Sequence, residues 1–183
     1  YFATGFVSIL SIAIILGLIW NYYLQPLCVI LGANSDTIDL VLEYGKCIMA
    51  FAPVFMMSNY FAPIVRNMKN PKLVMCAVLT GSVLNVILDY VFVFPMDMGM
   101  FGAAAATVIG SLTTLLVLST HFIKKQNRVK INKETISLNL LAPIFKCGFS
   151  SLIMEVASGF VIFIFNIQIL KYIGNNGIVV YGI

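Results

Sequence analysis

Charge is what this sequence has least of. Only 10% of its 183 residues are Asp, Glu, Lys or Arg, against about 25% in an average soluble domain. The shortfall excludes a solvated globular surface, and a mean hydropathy of +1.00 agrees. Metal-ligating side chains are scarce as well. There is one His, and Cys28, Cys47, Cys76 and Cys147 stand far apart with no Cys-x-x-Cys pair. Neither a disulfide framework nor a Cys/His metal site is encoded, and the cysteines read as small packing residues in apolar runs. No positively charged stretch precedes the first apolar segment, so no signal peptide is visible. With Tyr1 rather than Met at its start, the chain is expected to be an internal piece of a longer protein.

What is present is a series of apolar runs of spanning length. Five spans are expected, over residues 2–20, 40–62, 73–94, 100–123 and 141–172. The fold class is all-α, a polytopic transmembrane helical bundle. Trp20, Tyr22 and Tyr23 form an aromatic belt after the first span, followed by a loop carrying Pro26, Gly32, Asn34, Asp36 and Asp39. Pro53 falls inside the second span and predicts a kink or a neighbouring group for the freed carbonyl. Nine of the eleven basic residues fall on one side. Arg66, Lys69 and Lys72 lie in the turn after the second span. Lys124, Lys125, Arg128, Lys130 and Lys133 follow the fourth, with Lys146 close behind. That asymmetry makes the side cytoplasmic, with residue 1 on it. Lipid headgroups and orientation account for the basic run, so no nucleic-acid partner is invoked. Within the connector, Ile131, Thr135, Leu138 and Leu141 have the spacing of a short interfacial helix.

Polar residues inside the spans carry the chemistry. Asn85 and Asp89 are four residues apart and share a helix face. A carboxylate there costs roughly 2.5–3.5 kcal/mol on insertion scales. In the fourth span Ala103, Thr107, Gly110, Ser111 and Thr114 share a face, flanked by a small-residue stripe of Gly102, Ala106 and Gly110 that admits a close neighbour. Asp89 and Thr107 both lie roughly 7–12 Å below the outer surface by helical rise, so the two are expected to meet. Asn85, Asp89 and Thr107 would offer hard oxygen ligands to Na⁺, and a desolvated carboxylate also suits H⁺. The alternative is that Asp89 snorkels to the outer interface while Asn85 and Thr107 bridge helices. In the fifth span Ser151, Glu155, Ser158, Gly159 and Asn166 form a polar stripe. Glu155 reads as a proton- or substrate-binding group, or as a neutral acid bonded to another helix. His121 reads as an interfacial residue. No metal is expected beyond Na⁺ at Asp89. Asp89 and Glu155 are on different helices, and no nucleophile–base pair is evident, so an enzyme is not expected.

The stretches Asn85-Val-Ile-Leu-Asp89-Tyr-Val-Phe-Val-Phe94 and Met98-Gly-Met-Phe-Gly102-Ala-Ala-Ala-Ala-Thr107 resemble the multidrug and toxic compound extrusion (MATE) family. So do Tyr60 to Pro71 and the segment Lys146-Cys-Gly148-Phe-Ser-Ser-Leu-Ile-Met-Glu155. The resemblance implies a twelve-helix, two-lobe transporter with internal pseudo-symmetry. Residues 1–124 would then belong to the N-terminal lobe as its helices three to six. Residues 125–140 would be the cytoplasmic inter-lobe connector, and 141–183 would start the C-terminal lobe with helix seven. The implied activity is secondary antiport at the plasma membrane, exporting cationic or amphipathic drugs in exchange for H⁺ or Na⁺, with no cofactor and a monomeric full-length form. It also implies a cation site at Asn85, Asp89 and Thr107, completed by an aspartate on a helix outside this chain, and a role for Glu155 with later helices. The alternative is a flippase for a lipid-linked saccharide, whose cavity should be basic; here the embedded parts carry acids.

Overall fold

In a bilayer no water satisfies the peptide groups, so each apolar run must close its hydrogen bonds internally as a helix. The computed structural model describes residues 2–30, 33, 37–123 and 141–172. These form α1 (Phe2–Ile30), α2 (Ile38–Ala50), α3 (Ala52–Asn67), α4 (Pro71–Val93), α5 (Gly99–Ile123) and α6 (Leu141–Tyr172). Four helices contain a run long and apolar enough to span a membrane, and α2 with α3 makes a fifth span, bent by 56°. The all-α, five-span architecture expected from the sequence is therefore present among the described residues. The connector at 125–140, with the short interfacial helix expected there, lies outside them.

Three boundaries differ from expectation. The first span does not stop at Trp20: α1 continues through Tyr22, Tyr23 and Pro26 to Ile30. Leu24 and Cys28 prolong its apolar face, both buried, and Leu24 packs 3.2 Å from where a Cβ on Gly45 of α2 would stand. Pro26 deletes one backbone donor, which that packing outweighs. The second span breaks at Phe51 (φ −101°, ψ 15°), and Pro53 starts α3, where its missing N–H leaves nothing unsatisfied. The third difference is the end of α3. It runs to Asn67, so Arg66 is helical and the basic turn narrows to Met68, Lys69 and Asn70, with Lys69 at φ 62°.

α4 and α5 make the most extensive helix contact; α5 also rests on α3 and α2, and α1 packs on α2 and α3. The core gathers at one end of the bundle. Met57, Phe61 and Val65 of α3 meet Val74 and Ala77 of α4 and Leu118 of α5. Phe61 and Phe122 meet as tilted rings with centroids 4.8 Å apart, and the Phe2 ring lies 5.4 Å from that of Phe122. Aromatic contacts of this kind add about 0.5–1.5 kcal/mol each. α6 touches chiefly α1, and none of its spanning segment is buried.

Asn70 ties the same end together. Its Oδ1 accepts the Leu73 N–H at 3.4 Å as the N-cap of α4, and its Nδ2 meets Nδ1 of His121 at 3.2 Å. His121 is in the last turn of α5. Asn70→Ala removes cap and tie together, and a loss of about 1–2 kcal/mol is expected. Thermal unfolding of the purified protein checks this: Asn70→Ser should recover the cap share only, and an unchanged melting temperature in Asn70→Ala would contradict it.

Candidate functional site

The close approach of α4 and α5 is set by glycine. A Cβ on Gly81 would stand 2.6 Å from the Gly110 carbonyl oxygen and collide with the Thr114 hydroxyl. A Cβ on Gly110 would stand 2.8 Å from the Gly81 carbonyl oxygen and 2.9 Å from Asn85 Cβ. The two backbones are in contact, as small-residue stripes in membrane helices permit. Thr114 stitches them: its hydroxyl lies 3.1 Å from the Gly110 carbonyl in its own helix and 3.3 Å from the Ala77 carbonyl across the interface.

This contact fixes an antiparallel register. Ala77 is level with Thr114, Gly81 with Gly110, and Asn85 with Thr107. Asn85 Nδ2 donates to Thr107 Oγ1 at 3.4 Å, a long and therefore weak bond. Thr107 Oγ1 in turn donates to the Ala103 carbonyl at 3.0 Å. Along the seam runs a cavity of about 170 Å³ lined by Ser82, Asn85, Thr107, Ser111 and Thr114. Four hydroxyls and an amide in one groove form a set of hard oxygen ligands of the kind that hold alkali-type cations.

Asp89 is not in that lining. The expected meeting of Asp89 with Thr107 is replaced by Asn85 with Thr107, because the glycine contact sets the register. Asp89 lies one helical turn (about 6 Å) beyond Asn85, between the Asn85–Thr107 level and the level at which Phe92 packs on Gly102. Asp89 is half-buried, and its Oδ1 is fully buried with no hydrogen-bond partner. A carboxylate oxygen cut off from water and unpaired is held at a cost unless it carries a proton or a cation. Chemically, the pair of helices offers one ionisable oxygen and, a turn away, a neutral oxygen-rich groove.

Glu155 is elsewhere. It is exposed on α6, and Ser158 of the same stripe spends its hydroxyl on the Met154 carbonyl at 2.9 Å. His121, expected at the interface, is half-buried, bonded to Asn70, and leaves Nε2 fully buried without a partner. The signal for that contact was the Asn70-Pro71 helix start opposite a histidine in the last turn of the next antiparallel helix.

Residues 1–91 match the MatE family model. The whole chain is 31% identical, over 191 aligned residues, to "Multidrug export protein MepA" of Staphylococcus aureus (strain bovine RF122 / ET3-1), of which it covers 42%. It is 29% identical to the protein of the same name from Staphylococcus saprophyticus, again over 42% of that protein. The chain thus spans well under half the length of the curated relatives it matches. Among solved structures it is similar to a multidrug resistance MATE family transporter of the MOP superfamily in an inward-facing conformation. The TM-score is 0.89 at 24% identity, over 98% of this chain and 42% of that one. An outward-facing conformation of such a transporter gives a TM-score of 0.81, also at 24% identity, over 41% of that chain.

Proposed function

Because the chain belongs to the MATE family, we propose that the whole protein is a secondary active antiporter of the plasma membrane, exporting cationic or amphipathic drugs in exchange for H⁺ or Na⁺. The observation that carries this is the buried, unpartnered Oδ1 of Asp89 beside the Asn85–Thr107 groove. The name of the relatives, multidrug export protein, supports the substrate class. In this proposal Asp89 takes the coupling cation, with Asn85 and Thr107 supplying neutral oxygens. The ion works by binding the two states of the transporter unequally, since only a difference in affinity moves the equilibrium between them. Residues 1–124 belong to the N-terminal lobe, 125–140 connect the lobes, and 141–183 begin the C-terminal lobe, so that rocking of the lobes gives alternating access. Glu155, exposed on α6, is assigned a second proton- or substrate-binding role at the surface between lobes. The working form is a monomer that needs no cofactor.

The orientation, with residue 1 on the cytoplasmic side, is supported by the shared end of the basic segments. Arg66, Lys69 and Lys72 surround Asn70 in sequence, and Asn70 contacts His121 just before Lys124. The whole proposal is tested on the full-length protein in liposomes. It is expected to bind a fluorescent organic cation and to expel it when an H⁺ or Na⁺ gradient is imposed. Binding of a pyrophosphate-linked lipid saccharide in place of organic cations would overturn the proposal in favour of a flippase.

A further inference from the structure

A second cavity, of about 740 Å³, opens between α2 and the first half of α5. Ala105 and Ile109 line it, and each is two residues from Thr107, roughly 200° round the helix. It therefore uses the opposite face of α5 from the Asn85–Thr107 groove. Its walls include Phe51, Phe101 and Val108, and its edge carries Asp39, Glu43 and Lys46. These three recur at one residue per turn along a single face of α2. All three are exposed. Asp39 is in the first turn of α2. Glu43 is about 6 Å deeper and Lys46 about 10 Å deeper than Asp39 by helical rise. From the end of the bundle inward the order of charge is negative, negative, positive, above an apolar slot.

We propose that this cavity seats one zwitterionic phospholipid with an amine headgroup. An acyl chain fills the slot between α2 and α5. Lys46, reaching up along its own stem, pairs with the phosphate, and Glu43 and Asp39 pair with the ammonium that lies further out. The complementarity excludes the other candidates. A purely anionic phosphoglycerol lipid leaves Asp39 and Glu43 facing a headgroup without a cation, and an organic cation brings its charge against Lys46. A lipid here would add to the hold of α1 and α5 on α2, which has little contact with α3 across the bend at Phe51. The proposal requires only that α2 and α5 cross a bilayer, whichever face is cytoplasmic, so it stands or falls separately from the antiport mechanism.

Native mass spectrometry of the full-length protein, delipidated and then supplied with phosphatidylethanolamine and phosphatidylglycerol, tests it. One phosphatidylethanolamine is expected to be retained about tenfold better than phosphatidylglycerol, a difference of about 1.4 kcal/mol. Glu43→Gln and Lys46→Gln should each abolish that preference, and Glu43→Lys should reverse it. Asp97→Asn, in the α4–α5 turn at the same end, should leave it unchanged. Because the three α2 side chains are exposed, these variants leave the core intact, and a melting curve matching the parent verifies that. Equal retention of the two lipids, a preference indifferent to Glu43→Lys, or no retained lipid because another helix of the whole protein fills the cavity would each overturn the proposal.

Discussion

Asp89→Asn is expected to abolish ion-driven efflux by the full-length protein while leaving it at least as stable as the parent. The substitution keeps size and shape but removes the ionisable oxygen. The Oδ1 position is buried with no protein partner, so an amide there relieves the penalty of an unpaired buried charge. Stability should therefore hold or rise. Coupling should not survive, because the cation loses the carboxylate that stands one turn from the groove, whose described lining carries no acid of its own. Losing a buried charge partner typically costs about 2–5 kcal/mol, roughly thirtyfold or more in affinity. Efflux from proteoliposomes under an imposed gradient, with a thermal melt of the same sample, reads both effects. A folded Asp89→Asn protein with unchanged coupled transport would exclude this role for Asp89.

Gly81→Ala is expected to damage both the fold and the site. The new methyl would meet the Gly110 carbonyl oxygen at 2.6 Å as well as the Thr114 hydroxyl. Backbone cannot swing aside as a side chain can, so α4 and α5 must separate. Overpacking of this sort costs about 1–3 kcal/mol, and separation also breaks the level at which Asn85 meets Thr107. Gly110→Ala should act alike, since its methyl would lie 2.8 Å from the Gly81 carbonyl oxygen. Gly148→Ala and Gly159→Ala on α6 meet nothing within 4 Å and should be neutral or slightly stabilising, because alanine is the better helix former. Melting temperatures and efflux rates of the four variants distinguish the two pairs. Equal behaviour of Gly81→Ala and Gly159→Ala would show that the α4–α5 contact does not set the site.

The spans were legible because bilayer length and breaker residues are local signals. The expected 73–94, 100–123 and 141–172 differ by at most two residues at either end from α4, α5 and α6. Asn70-Pro71 and the Pro95–Gly99 turn mark two of those junctions. The end of α1 is not legible because Trp20, Tyr22 and Tyr23 read as an interfacial belt with Pro26 in the loop beyond it, whereas Leu24 seated over Gly45 carries the helix past both. The bend near Pro53 was foreseen, but its position at Phe51 depends on packing: a Cβ on Gly17 of α1 would lie 3.0 Å from the Met49 carbonyl oxygen just before the break. Asn85 and Thr107 meet across facing helices at 3.4 Å. Which of Asn85 or Asp89 is level with Thr107 was not readable, because depth counted from loop ends is uncertain by a turn and the deciding contact, Gly81 on Gly110, is between helices. The Asn70–His121 tie is of the same kind, a long-range pairing of two local helix-end signals.

Equilibrium cation binding to the purified full-length protein tests the central claim most directly, by radiolabelled sodium and by proton uptake measured in parallel. One saturable H⁺ or Na⁺ site is predicted, absent in Asp89→Asn and weakened in Asn85→Ala and Thr107→Ala. Parent-level binding in Asp89→Asn would contradict the account.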